Sequence, residues 1–263
     1  MKLKKYMSSC HLFAKDDWMK CLAWAKDADF DGVELFGGEG DVLFENIAPS
    51  RLDEIADFAC RSGIELSLHP WTDWTKLSDE ALSEIYTEYA EKCARMGLKY
   101  LNMHMQFITT REKGMERLFR ATDSVLPILK KAGITLLYEN VPPHGIRELG
   151  SETGDFDKLF ARYKDEPMVQ MNIDTGHAHI TQTLKALADA HGERWTYTHI
   201  NDNFGVNDDH VAPGDGTLDF DEVASVCREI GYKGPLMMEY HETGLEKGLA
   251  VLKEAYGKAG FEL

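Results

Sequence analysis

No run of residues in this chain approaches the roughly 18 consecutive apolar positions of a membrane-spanning helix, so no span is expected. The opening MKLKKYMSSC has lysines with no apolar stretch behind them and does not read as a secretion signal. Cysteine is sparse and unpaired in pattern. Cys10, Cys21, Cys60, Cys93 and Cys227 are odd in number and widely spaced, without a CxxC. Free thiols in a reducing compartment, by default the cytoplasm, are the expectation. Base is also scarce: 29 Lys+Arg stand against 45 Asp+Glu, for a formal net charge of −16. A sequence-independent grip on a phosphate backbone needs clustered Lys/Arg, so nucleic acid is not an expected partner. A glycine-rich nucleotide loop is missing as well. SSCHLFAKDD follows the first apolar run without GxGxxG, and Gly37-Gly38-Glu39-Gly40 matches neither nucleotide-loop pattern. It reads as a flexible loop between strand and helix.

What is present is an ordinary globular composition, 43% hydrophobic and 10% aromatic, which excludes global disorder. Short apolar runs alternate with helical patterns. The runs Lys5–Ser9, Gly32–Phe36, Ile64–His69, Tyr100–Met105, Ile134–Asn140, Val169–Asp174, Tyr197–Asp202 and Pro235–Tyr240 are near-continuously apolar, as parallel strands buried on both faces are. The clearest helix starts at the cap Ser78 and carries Leu82, Ile85, Tyr86, Tyr89, Cys93 and Met96 at helical spacing before Gly97. Eight strand–helix units with no Pro/Gly/Ser-rich linker, at a length near 250, predict an α/β fold: a single (β/α)₈ TIM barrel over residues 1–263. The runner-up is an open doubly wound sheet.

A ladder of polar residues stands at the strand ends: Glu34, His69, His104, Glu139, Asp174 (with His177 three residues on), His199 and Glu239. The first five are 35 residues apart, so repeating units bring equivalent positions to one rim. In a barrel that rim carries the active site. Any one of them has a bland reading as a cap or a hydrogen-bonded strand end. Seven in a row that are only His, Asp or Glu point to a divalent metal, since charges in a barrel mouth are costly unless paired or metal-bound. Asp208 and His210 stand at i and i+2 in the next loop, where an extended segment would face both side chains one way.

The pattern GVELFG…H…LNMH…YEN…IDTGHA…HINDN…DDHxxxGDGxxDF…MEYHE resembles the xylose-isomerase-like TIM-barrel superfamily, from the second strand to the eighth. The resemblance implies a metal-dependent sugar isomerase/epimerase-like enzyme that abstracts a proton next to a carbonyl through a metal-stabilised enediolate. By motif, one divalent ion (Mn²⁺, Mg²⁺, Co²⁺ or Zn²⁺) would be held by Glu139, Asp174, His199 and Glu239, with Glu139 and Glu239 as the catalytic proton carriers. Glu34, Trp71, Gln106 and His177 would meet the substrate, a small sugar or sugar-like molecule. His144 and Arg147 are further candidates for substrate contact, and a homo-oligomer is compatible with the family.

The same superfamily contains endonuclease IV, a zinc phosphodiesterase acting on abasic-site DNA. Its nine ligand types appear here in order, which adds His69, His104, His177, Asp208 and His210 as further metal or substrate residues and up to three zinc ions. One departure from the epimerase pattern is visible: Asn203-Phe204-Gly205-Val206 follows the His199 strand, where ketose epimerases commonly place an Arg.

Overall fold

Alternation along eight short strands divides the apolar residues between two cores. The computed structural model describes residues 1–15, 17–37, 47–71, 73–106, 109–143 and 148–263. The strands are β1 (Lys5–Ser8), β2 (Gly32–Gly37), β3 (Glu65–Pro70), β4 (Tyr100–Met103), β5 (Thr135–Glu139), β6 (Val169–Asp174), β7 (Trp195–Ile200) and β8 (Leu236–Met238). Each pairs in parallel with the next, and β1 pairs with β8, closing the predicted barrel. Outward residues such as Met7, Val33, Leu35, Leu68, Leu101, Leu136, Ile173 and Leu236 join the large core beneath the helices. Inward residues Tyr6, Leu137, Tyr197 and Met237, with Tyr100 against them, plug the barrel interior. Tyr6 lies across Gly32, where an added Cβ would stand 2.6 Å from its ring.

The Ser78 cap is as expected. Its hydroxyl accepts from Ala81 N at 3.1 Å, and the helix runs Asp79–Met96 to Gly97, whose φ of 68° suits a residue without a Cβ. Three strands differ from expectation by two residues at a limit, and the others by at most one. The fourth run breaks after Met103: Met105–Gln106 leaves the barrel to pair antiparallel with Glu148–Leu149, tying two rim loops together. The seventh strand begins at Trp195, where a register irregularity at Met171/Asn172 lets it pair with β6. The eighth ends at Met238, which leaves Glu239 just beyond the barrel. The Gly38-Glu39-Gly40 stretch, His144 and Arg147 lie outside the described residues.

At the opposite end from the ladder, Glu65 accepts from Lys4 Nζ (2.6 Å), Lys99 Nζ and the Tyr6 hydroxyl. Burial pushes this carboxyl up, but the three donors outweigh it and hold it down at about 2. A depressed carboxylate contributes stability above its unfolded pKa of about 4.3 and loses it as the pH falls toward the folded value. The stability gap between the native chain and Glu65→Gln is therefore expected to be full at pH 6 and to shrink between about pH 4 and 2, read by thermal melts. Gly32→Ala is expected to cost about 1–3 kcal/mol in chemical denaturation, because the methyl group overpacks the Tyr6 ring.

Candidate metal centre at the barrel mouth

Residues from four strand ends meet around one imidazole nitrogen. His199 Nδ1 lies 2.7 Å from Glu239 Oε2, 3.4 Å from Glu139 Oε2 and 3.9 Å from Asp174 Oδ2. One ligand atom from each of these four buried residues fits within a 4.8 Å span. These are the four residues that the ladder and the resemblance single out for the metal.

Local bonding explains their placement. Asp174 ends β6 and caps the short helix Thr175–Thr181, accepting from His177 N at 2.7 Å. The Asn140 amide brackets it, accepting from Asp174 N (2.7 Å) and donating to Asp174 O (3.1 Å). Glu139 Oε2 accepts from Asn102 Nδ2 (2.6 Å) and Asn172 Nδ2 (3.0 Å). His199 turns Nε2 away from the cage toward Glu34 Oε1 at 3.0 Å. Glu34 is fully buried behind that ring, among Ser67, Tyr197 and His199, one step removed from the mouth.

The remaining candidates form an outer tier. His69 Nε2 and His104 Nε2 each stand 3.6 Å from a Glu139 oxygen. His177 Nδ1 donates to Asn140 O (2.8 Å), and its Nε2 meets Asp208 Oδ2 at 3.1 Å. His210 Nε2 reaches the same oxygen at 3.0 Å. His177, Asp208 and His210 therefore make a second group of metal-ligand types, partly open to solvent. Asp208 and His210 do face one way, but through left-handed backbone at His210 (φ 47°) instead of an extended segment. Their loop is held by Asp202, whose buried carboxylate accepts from the backbone N–H of Asn203, Gly214, Gly216 and Leu218 at 2.8–3.0 Å.

Of the two tryptophans, Trp74 is buried and anchors its loop, while Trp71 is half exposed with its ring 5.6 Å from that of His104. Gln106 accepts from Trp74 N at 2.8 Å, which ties its side chain to the same loop. Sequence reasoning missed His11, which stands at the mouth within ligand reach of His210 and Glu239. It also missed Asn102 and Asn172. The signal was available, because the 35-residue ladder read two positions earlier gives Ser67, Asn102, Leu137 and Asn172 on the same inward face.

The electrostatics call for a cation. Glu34, Glu139, Asp174, Asp208 and Glu239 crowd one cleft. Burial, and then the neighbouring carboxylates, push Asp174 up to about 8, although His177 pulls the other way. Burial alone would likewise raise Glu139, but the His199 and His104 charges outweigh it and hold it well below the usual carboxylate range. Burial works against a charged His199, yet Glu139, Glu239 and Glu34 raise it well above the ordinary histidine value. Histidines are thus drawn into service as counter-ions. His199 Nδ1 and Glu239 Oε2, though 2.7 Å apart, are not aligned as a hydrogen bond, and both lack a partner, as does His104 Nε2. The His199 nitrogen and the Glu239 oxygen, together with Glu139 and Asp174, are a donor set that fits a divalent ion.

Residues 22–255 match the family model described as the xylose isomerase-like TIM barrel. The inosose isomerase of Bacillus velezensis is 24% identical over 234 residues, covering 81% of this chain and 82% of that protein. An uncharacterized protein of Sinorhizobium fredii is 38% identical over 85 residues, 32% of this chain and 27% of that protein's length. Among solved structures, a D-tagatose 3-epimerase-like protein superposes with a TM-score of 0.80 at 20% identity, covering 98% of each chain. The IOLI protein with a bound zinc atom does so with a TM-score of 0.74 at 17% identity, again covering 98% of each chain.

A cage of this kind should gain stability from its ion. At about a hundred times its dissociation constant, Mn²⁺ or Zn²⁺ is expected to add about 2.7 kcal/mol and raise the melting temperature by several degrees. Asp174→Ala should lose that rise. Thermal melts with EDTA and with added metal check it, and an unchanged melt at saturating metal would show that the four residues hold no cation.

Proposed function

We propose that this chain, which belongs to the xylose isomerase-like TIM-barrel family, is a divalent-metal-dependent isomerase or epimerase of a sugar or sugar-like ketone. The observation that carries the reading is the convergence of Glu139 and Glu239, from separate strand ends, on the His199 nitrogen inside one ligand cage. Glu139, Asp174, His199 and Glu239 would hold the ion. When bound, it would supply Lewis-acid polarisation of the substrate's carbonyl and adjacent hydroxyl oxygens.

The protein's own groups then do the proton work. A carboxylate takes the proton from the carbon next to the carbonyl: the C–H bond breaks, the proton passes to the carboxylate oxygen, and the electron pair moves toward the carbonyl. A proton returned to the opposite face gives the epimer; one returned to the neighbouring carbon gives the isomer. Glu139 and Glu239 reach the cleft from different strands, as a two-sided exchange requires. His177 stands beside Glu139 with its ring fixed by Asn140 at Nδ1 and by Asp208 at Nε2, placed to meet a substrate hydroxyl that displaces Asp208. Trp71 offers an exposed apolar face at the rim for a sugar ring.

The inosose isomerase and the epimerase-like neighbour described above support this reaction class over the phosphodiesterase reading. The missing Arg after His199 argues that the substrate is held differently from that of a standard ketose 3-epimerase. Glu139→Gln and Glu239→Gln are each expected to slow turnover by about 10²–10⁴-fold while the protein stays folded. NMR of a panel of keto-sugars and inososes in D₂O, with added Mn²⁺, Mg²⁺ or Co²⁺, reads deuterium wash-in next to the carbonyl. Near-normal exchange in either variant would remove that glutamate from the mechanism, and no exchange with any ketone would overturn the reaction class.

A further inference from the structure

Three of the four cage residues are braced by buried partners, and the fourth is not. Glu139 has two amide donors on one oxygen, Asn102 and Asn172. Asp174 has both oxygens occupied: His177 N donates to Oδ1 and Asn201 Nδ2 to Oδ2, each at 2.7 Å. His199 is held through its own backbone N–H, which donates to Asn172 Oδ1 at 3.1 Å, and Glu34 Oε1 stands 3.0 Å from its Nε2. Asn172 thus ties Glu139 and His199 to one side chain. These partners lie inside the barrel and are themselves buried, so the bracing is out of reach of water.

Glu239 departs from this pattern. Its main chain is fixed, with N donating to Ile200 O (2.9 Å) and O accepting from His210 Nδ1 (2.8 Å). Its carboxylate is not: among the described residues no amide or hydroxyl donates to Oε2, and its close neighbour is His199, another member of the cage. It also sits one residue past the end of β8, whereas Glu139, Asp174 and His199 lie within their strands.

We propose that the cage is asymmetric: Glu139, Asp174 and His199 form a fixed platform, and Glu239 is the labile member, free to turn toward the substrate and carry its proton. The proposal rests on the isomerase reading for the proton and on the bonding pattern alone for the asymmetry. Asn102, Asn172 and Asn201 are then positioning residues, acting through the carboxylates they hold.

The test is Mn²⁺ affinity of the metal-free protein, measured by competition with a chelating dye, beside the melting temperature of the same metal-free samples. Removing outer partners of metal ligands typically weakens binding by about 10–100-fold. Asn102→Leu is expected to weaken Mn²⁺ binding by about that factor while leaving the metal-free melt near that of the native chain. Glu139→Gln should weaken it more, and Glu239→Gln should weaken it less than Asn102→Leu does. If Asn102→Leu does not fold, Asn201→Ala carries the same expectation through Asp174. Equal losses in Glu139→Gln and Glu239→Gln, or an unchanged affinity in the folded asparagine variants, would overturn the asymmetry. No substrate enters this measurement, so an asymmetric cage in a protein that exchanges no ketone proton would sink the reaction class and leave the asymmetry standing.

Discussion

Carboxylates packed together in the low-dielectric mouth of a barrel repel one another, and that repulsion is the constraint on which the rest of this structure turns. Glu139, Asp174 and Glu239 face a single histidine nitrogen, with Glu34 behind the same ring and Asp208 just outside. Water is largely excluded from the inner members, so solvation cannot offset the charge. The histidines supply part of the answer by taking up protons, but that leaves His199 Nδ1 and Glu239 Oε2 side by side with no hydrogen bond between them. A divalent cation would settle both problems at once, because it would neutralise the acids and give the orphaned atoms a partner. The acidic balance of the whole chain looks different in this light: a few of its acids are concentrated at the barrel mouth in one cluster of metal-ligand types.

The barrel makes such crowding feasible through its two-residue period. One row of inward side chains forms the cage, and the row beneath it holds the cage in place. Asn102, Leu137 and Asn172 lie two residues before His104, Glu139 and Asp174, so each strand delivers a cage or rim residue together with a residue of the supporting layer. Deeper still, Tyr6, Tyr197 and Met237 close the interior with apolar bulk. Polarity therefore falls steadily with depth, from rim histidines through amides to aromatic rings, and each layer needs only the hydrogen bonds that the next can supply.

How much of this was legible in the sequence follows from the same period. The barrel and its eight strands were readable from the apolar runs, and equal repeat lengths of 35 bring Glu34 through Asp174 into register; His199 and Glu239 fall outside that spacing and were singled out by their places at strand ends and by the motifs of the family resemblance. Side-chain direction within the mouth was not readable. Glu34 shares the ladder position of the cage residues yet faces the back of His199, and Gln106 is turned to the Trp74 backbone by the small antiparallel pair at the rim. The asparagines were overlooked because an amide carries no chemistry of its own; its worth lies in the oxygen it holds. His11 ends a single 3-10 turn after β1, where the strand period no longer assigns it a neighbour.

The inner and outer tiers are built by different means, and that difference bears on function. The inner cage hangs from strand ends and is tied to buried side chains of neighbouring strands. The outer group depends on a loop gathered by one residue, Asp202, whose four backbone bonds leave no room for a side chain at Gly216. Rim loops tolerate change that strands do not. A relative can therefore keep Glu139, Asp174, His199 and Glu239 while replacing what stands between residues 203 and 218, and with it the shape of the substrate that fits. Asn203-Phe204-Gly205-Val206, without an Arg, belongs to that loop and stands apart from the four cage residues.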